Sequence, residues 1–314
     1  MPCTNPAVGG NARIVIQMET CFKEEVSPVS GIVLPFATCD IAVTQPPNQV
    51  SNLRSGRHSS RPWRGNQEIS GTLTGNVGTD SIYYILQAMF SAPDSTGTVH
   101  EFTIDSTAQN FIISKEFLDV EQYHIYRGCR ANSLSFAFNS ANELMYNLSF
   151  QAASETRQET PYDDSPEDLG AEQFYFNIDM GSAVEEGGVS TDIFDEINLN
   201  IANPVSMIYG LSGGGTATYA SSGKVEVTGN VVGVFLDGSL INKGANFTET
   251  SLDLILSKGT NYLRFYMPEM EVSRNSPPIS NGDIIKQDIS YVAYYENSDE
   301  QSDIVVQVSN DRTY

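Results

Sequence analysis

The sequence is poor in positive charge. It has 17 Lys and Arg against 39 Asp and Glu, a formal charge of −22. A surface so acidic repels phosphates, which argues against a general nucleic-acid-binding groove. It serves solubility, or it forms a wall past which DNA slides without sticking. Histidine is scarce too. His58, His100 and His124 are the three, and none lies four residues from another, so no helical metal pair is evident. The four cysteines, Cys3, Cys21, Cys39 and Cys129, contain no CxxC pair. That is poor zinc spacing and a thin disulfide framework for this length, so free thiols in a reducing compartment are expected. No apolar run approaches the roughly 18 residues of a membrane span, and no secretory signal pattern opens the chain. No G-x-S-x-G elbow occurs, and Gly213-Gly214-Gly215 is not followed by the G-K-[ST] of a phosphate loop. Neither catalysis nor a cofactor has support. Carboxylates paired by folding are the one route to an active site left open.

What the sequence does contain is strands. Its 314 residues suit one large β domain or two ordinary ones. Short runs of Val, Ile, Tyr, Phe and Thr are separated by Gly, Pro, Asn and Ser, the pattern of strands and turns. The strongest signal is a long-range repeat. In the first half, Asp40–Thr44 and the alternating Glu68–Asn76 flank a long polar loop. In the second, Glu196–Ile201 and Lys224–Asn230 flank a Gly/Ser-rich loop over 211–223. Downstream, Ser81–Phe90 carries apolar residues at helical spacing, with Thr250–Leu256 as its weaker counterpart. Further strands follow in each half, and matched points recur about 156 residues apart. The expected architecture is mainly β: two tandem sandwich or barrel units, each with a flanking helix. Their bounds are 1–155 and 196–314, with an acidic connector over 156–195 that holds one strand, Phe174–Ile178.

Two loops are candidate sites. Arg54, Arg57, Arg61 and Arg64, with Trp63 and His58, crowd the first long loop. They could contact an acidic protein surface, possibly a second copy, or be a solvated loop, or bind nucleic acid. The second loop, with Gly213, Gly214, Gly215 and Tyr219, reads as flexible. Asp163, Asp164, Glu167 and Asp168 lack the spacing of a calcium loop and read as a solvated linker.

Several segments together resemble the larger tail tube proteins of tailed bacteriophages. They are the early strand Ile14–Thr20, Glu68–Leu73 leading to a helix, Tyr126–Ser135, Leu263–Met270 and Ile289–Tyr294. The resemblance implies β-sandwich or barrel units whose sheets join around a lumen, rings that stack through long loops, and DNA passing without specific binding. A chain with two units should close such a ring with three copies, a homotrimeric pseudo-hexamer. Its partners would be itself and the tape measure, tail tip and terminator proteins, in a virion tail assembled in the host cytoplasm. No enzyme activity, metal, cofactor or membrane contact is implied. The arginine loop would face the next ring, and the second loop, lacking arginines, would play a different part. The alternatives are another tail or baseplate component, a secretion-system tube, or a carbohydrate-binding sandwich.

Overall fold

A computed structural model describes residues 6–49, 61–139, 142–170, 172, 174–177, 182–279, 283–296, 299–312 and 314. After a 3-10 turn at Gly9–Asn11, the chain forms β1 (Ala12–Glu19), β2 (Ile32–Leu34) and β3 (Thr38–Thr44). A short hairpin, β4 (Pro47–Asn48) and β5 (Trp63–Arg64), leads to β6 (Glu68–Asn76) and helix α1 (Ser81–Phe90). Then come β7 (Asp94–Thr96), β8 (Val99–Thr103), β9 (Asn110–Phe117), the long β10 (Gln122–Asn139), β11 (Met145–Ala152) and β12 (Ser154–Gln158). The acidic segment contributes β13 (Glu167–Asp168), β14 (Ala183–Glu186) and β15 (Val189–Ser190). The second half forms β16 (Phe194–Ala202), the hairpin β17 (Val205–Ile208) and β18 (Tyr219–Ser222), β19 (Glu226–Val234) and helix α2 (Ser239–Asn246). It ends with β20 (Thr250–Lys258), β21 (Asn261–Val272), β22 (Lys286–Ala293) and β23 (Val305–Ser309).

α1 buries Ile82, Ile85, Leu86, Met89 and Phe90, the face its spacing predicts. The start of α1 has a distant cap. The Glu172 carboxylate accepts hydrogen bonds from Asp80 N at 2.8 Å and Ser81 N at 3.0 Å, placing an anion at the positive end of the helix. The second helix is not where the sequence places it. Thr250–Leu256 is strand β20, and α2 precedes it. In Leu252-Asp253-Leu254-Ile255-Leu256 the alternation is masked because Asp253 is also buried, held by Arg264 through two bonds of 2.6 and 2.9 Å. α2 itself buries little more than Leu240 and Gly244, too sparse a pattern to announce a helix. The strand expected over Phe174–Ile178 shows, in its described part, isolated bridges at Tyr175 and Asn177.

Strand pairing follows the same order in both halves. In the first, β1 pairs with β9, β9 with β10, β10 with β11, β11 with β6, and β6 with β3. In the second, β14 pairs with β20, β20 with β21, β21 with β22, β22 with β19, and β19 with β16. β12 and β23 add to the early parts of β10 and β21. The long strand β10 therefore serves two layers. It crosses from one to the other at Gly128 (φ +62), where a Cβ would meet Ala153 Cβ at 2.9 Å. The layers enclose one core. Phe111 packs on Phe150, and Phe265 of the second half packs on Phe136 and Phe138 of the first, with ring centroids 4.9 and 5.4 Å apart.

Candidate functional site

The late part of β10 also pairs with β16, from Ser133↔Ala202 to Asn139↔Glu196. This joint fuses the halves into one sheet in the order β3-β6-β11-β10-β16-β19-β22-β21. Period-two alternation gives the sheet two unlike faces. Ile41, Leu73, Leu148, Leu134, Leu199, Val227 and Ile289 point into the core. The opposite face is built from short polar side chains.

Across its middle, cross-strand neighbours run Thr38, Thr74, Asn147, Ser135, Asn200, Thr228 and Val292, with no charge among them. Thr38 Oγ1 and Thr74 Oγ1 are 2.6 Å apart, Ser133 Oγ and Ser149 Oγ 2.9 Å, and Asn198 Nδ2 donates to Asn230 Oδ1 at 3.2 Å. These lateral bonds hold the polar groups down along the sheet. Charge enters at the margins as acid: Asp40, Glu68 and Glu226 towards one end of the strands, Glu196 and Asp288 towards the other. Two bases lie on this face among the described residues: Lys286, whose Nζ is 2.7 Å from Asp195 Oδ2, and, at the end near the arms, Arg130, which donates to Ala220 O at 3.1 Å.

Two arms leave the same end of the sheet. One, β4–β5, bridges β3 and β6. The other, β17–β18, bridges β16 and β19. The base of the first is tied to the turn of the second: Gln67 N donates to Gly215 O at 2.7 Å and Tyr209 Oη to Gln67 O at 2.6 Å. Gly213, Gly214 and Gly215 are therefore not a loose loop. Thr216 N and Oγ1 both donate to Gly213 O, and Gly214 (φ +62) and Gly215 (φ +85) make a turn that L side chains disfavour. Lys23 Nζ braces this turn by donating to Thr216 Oγ1 at 2.7 Å. Glu19 holds Lys23 in place, accepting from Lys23 N and from Gly128 N at 3.1 and 3.0 Å. Burial pushes the Glu19 carboxyl up to about 7 against those two bonds.

Of the loop residues singled out in the sequence, Arg54, Arg57 and His58 lie outside the described residues. Arg61, Trp63 and Arg64 sit exposed on the first arm. Leu211 and Tyr219 are exposed on the second, one on either side of the glycine turn in the chain. The arms thus present apolar and basic groups together. Asp163 organises a loop, accepting from Gly31 N at 2.7 Å and Ser165 N at 2.9 Å. The polar face escaped sequence reading. Its signal was present in the alternate positions of Glu68–Asn76, Met145–Gln151 and Asn198–Ala202, but which side of each strand meets water depends on tertiary pairing.

Residues 9–293 match the family model described as phage tail tube protein. No match to a protein of curated function accompanies it.

Proposed function

This chain belongs to the phage tail tube protein family, and we propose that three copies close into a ring of six similar β units with the polar sheet face lining a central lumen. In this reading units 1–155 and 196–314, joined by the segment 156–195, fill adjacent places in the ring. Rings stack into a hollow tube in the virion tail, and DNA passes through it on ejection.

The observation that carries this reading is the polar face. A wall along which DNA must slide needs hydration without adhesion. Ser, Thr and Asn bind water but offer no cation to a phosphate, and the neutral row holds no aromatic ring among the described residues to stack a base. Acids at the margins repel the polyanion from the rims. The expected acidic wall thus takes a more particular form, neutral in its middle and acidic at its ends. The arms fit stacking. They carry Arg61 and Arg64, whereas the opposite end of the sheet carries Asp195, Glu196, Asp237 and Asp288. Head-to-tail contact then brings opposite charges together.

Negative-stain microscopy of the purified protein tests the reading. Rings or hollow tubes are expected, and a protein that stays monomeric at every concentration overturns it. The lumen assignment has its own test. Thr74→Lys, Asn147→Lys and Ser135→Lys together place a cation in three of the four first-half positions of the neutral row. Tubes should still form, and DNA ejection in vitro should slow at least tenfold at low salt and recover as salt rises. An unchanged ejection rate places this face elsewhere.

A further inference from the structure

The ring-forming reading leaves open which strands meet at the seam between copies, and the joint inside the chain supplies a template. β10 has β11 and β12 on one side, and β9 followed by β16 on the other. β21 has β22 and β23 on one side and β20 on the other. Beyond β20, where β10 has β16, no strand is present among the described residues.

The equivalence is fixed to the residue by two routes. The β9–β10 ladder slips between Tyr126 and Cys129, and the β20–β21 ladder slips between Met267 and Met270, which sets Met270 on Cys129. The second route starts at the glycines of the matching Glu68-Ile69-Ser70-Gly71 and Glu226-Val227-Thr228-Gly229. Gly71 faces Phe150, which faces Ala131. Gly229 faces Tyr291, which faces Val272. That sets Val272 on Ala131, the same alignment. On the other flank Gly71 faces Ile41 and Gly229 faces Leu199, which sets β3 on β16.

β3 is the matching half of the vacant joint. Its 7 residues, Thr38–Thr44, pair with β6 on one side and with no strand on the other among the described residues. The edge carries neither proline nor lysine, the usual guards against strand addition. On the β21 side, the chain after Val272 stays bonded to β22 through Ser273 N, which donates to Ser290 O at 2.8 Å, but no strand lies on its other flank among the described residues through Ile279, which is 88 % exposed. The residue in that place at the internal joint is Phe138, which is 4 % exposed in the core.

We infer that the segment Ser273–Ile279 adds as an antiparallel strand to the edge Thr38–Thr44 of a second copy, with Ile279 entering that copy's core beside Cys39. The register copied from Ser135↔Asn200 puts Ser276 opposite Ala42 of the neighbour. The two seams are not equal. Pro277 and Pro278 lack N–H groups, and of two adjacent residues in a strand one faces the partner, so the seam between copies lacks a ladder donor that the internal joint has. Six junctions around the ring then alternate between continuous and weakened.

The test rests on disulfide trapping. Ala42→Cys with Ser276→Cys lies on the polar face, away from the core. On oxidation of assembled protein it should give covalent dimers and trimers on a non-reducing gel, at least tenfold more than Asp40→Cys with Ser276→Cys, which is out of register. A second variant, Ile279→Asp, should keep the thermal unfolding midpoint of the monomer and abolish rings. Wild-type rings with equal trapping in both cysteine pairs, or normal rings from Ile279→Asp, overturn the seam while leaving the ring intact. A wild-type protein without rings overturns the ring reading itself.

Discussion

Glu19 shows how a single buried carboxyl couples to an assembly element. It accepts two backbone N–H groups, which favours its charged form, yet burial wins and raises it to about 7. An acid raised in the folded state binds its proton more tightly there than in the unfolded chain. Stability contributed at this site is therefore full below the unfolded value near 4.5 and declines as pH rises towards 7. The loss is about 1–3 kcal/mol. Chemical denaturation at pH 5 and pH 8 should show that decline in the wild type. In Glu19→Gln, which cannot ionise, the difference should shrink by at least half. An equal decline in both proteins would assign the effect to other groups. The loop that Glu19 holds reaches the turn of the second arm through Lys23, so the same titration should loosen that turn where it meets the base of the first arm.

In the proposed tube, the arms are the elements on which stacking rests. Replacing Arg54, Arg57, Arg61 and Arg64 with Glu should stop growth at single rings, because the arm would then meet an acidic end with like charge. Arg61 and Arg64 are exposed, and surface substitutions cost little, so the unfolding free energy should move by no more than about 0.5 kcal/mol. Normal tubes from this variant, seen by microscopy, would remove the arms from the stacking contact. Elements differ in how far the sequence reveals them. Ser81–Phe90 was legible as a helix because its apolar residues fall on one face, and Glu68–Asn76 as a strand because it alternates. α2 was not, since an eight-residue helix burying chiefly Leu240 has almost no pattern to read. β20 was misread because Asp253 is buried by its pairing with Arg264, a contact made in three dimensions. The arginine loop was found from composition, whereas the neutral row Thr74, Asn147, Ser135 and Asn200 required knowing which strands are neighbours.

At the scale of the molecule, the two halves are joined by more than β10 and β16. β23, near the end of the second half, pairs with β8 of the first. Beyond it, Asn310 Nδ2 donates to Thr79 O at 3.0 Å, Arg312 Nε lies 3.3 Å from Asp80 Oδ2, and Tyr314 stacks on Tyr83 with centroids 3.6 Å apart. This tail clamps the start of α1. Tyr314→Ala should cost about 1–2 kcal/mol in unfolding free energy, from the stacked pair and its buried area. A loss below about 0.3 kcal/mol would show that the tail rests on the surface without holding it.

The run after Val272, with no strand on its outer flank among the described residues and two adjacent prolines, bears on how a tube of this chain would fail. In the proposed ring, three of six lengthwise joints would be the internal β10–β16 ladder, spanned by a covalent chain. The other three depend on side chains and an incomplete ladder. Under internal pressure or bending, cracks should open along three lines parallel to the axis, and fragments should come away as staves one subunit wide.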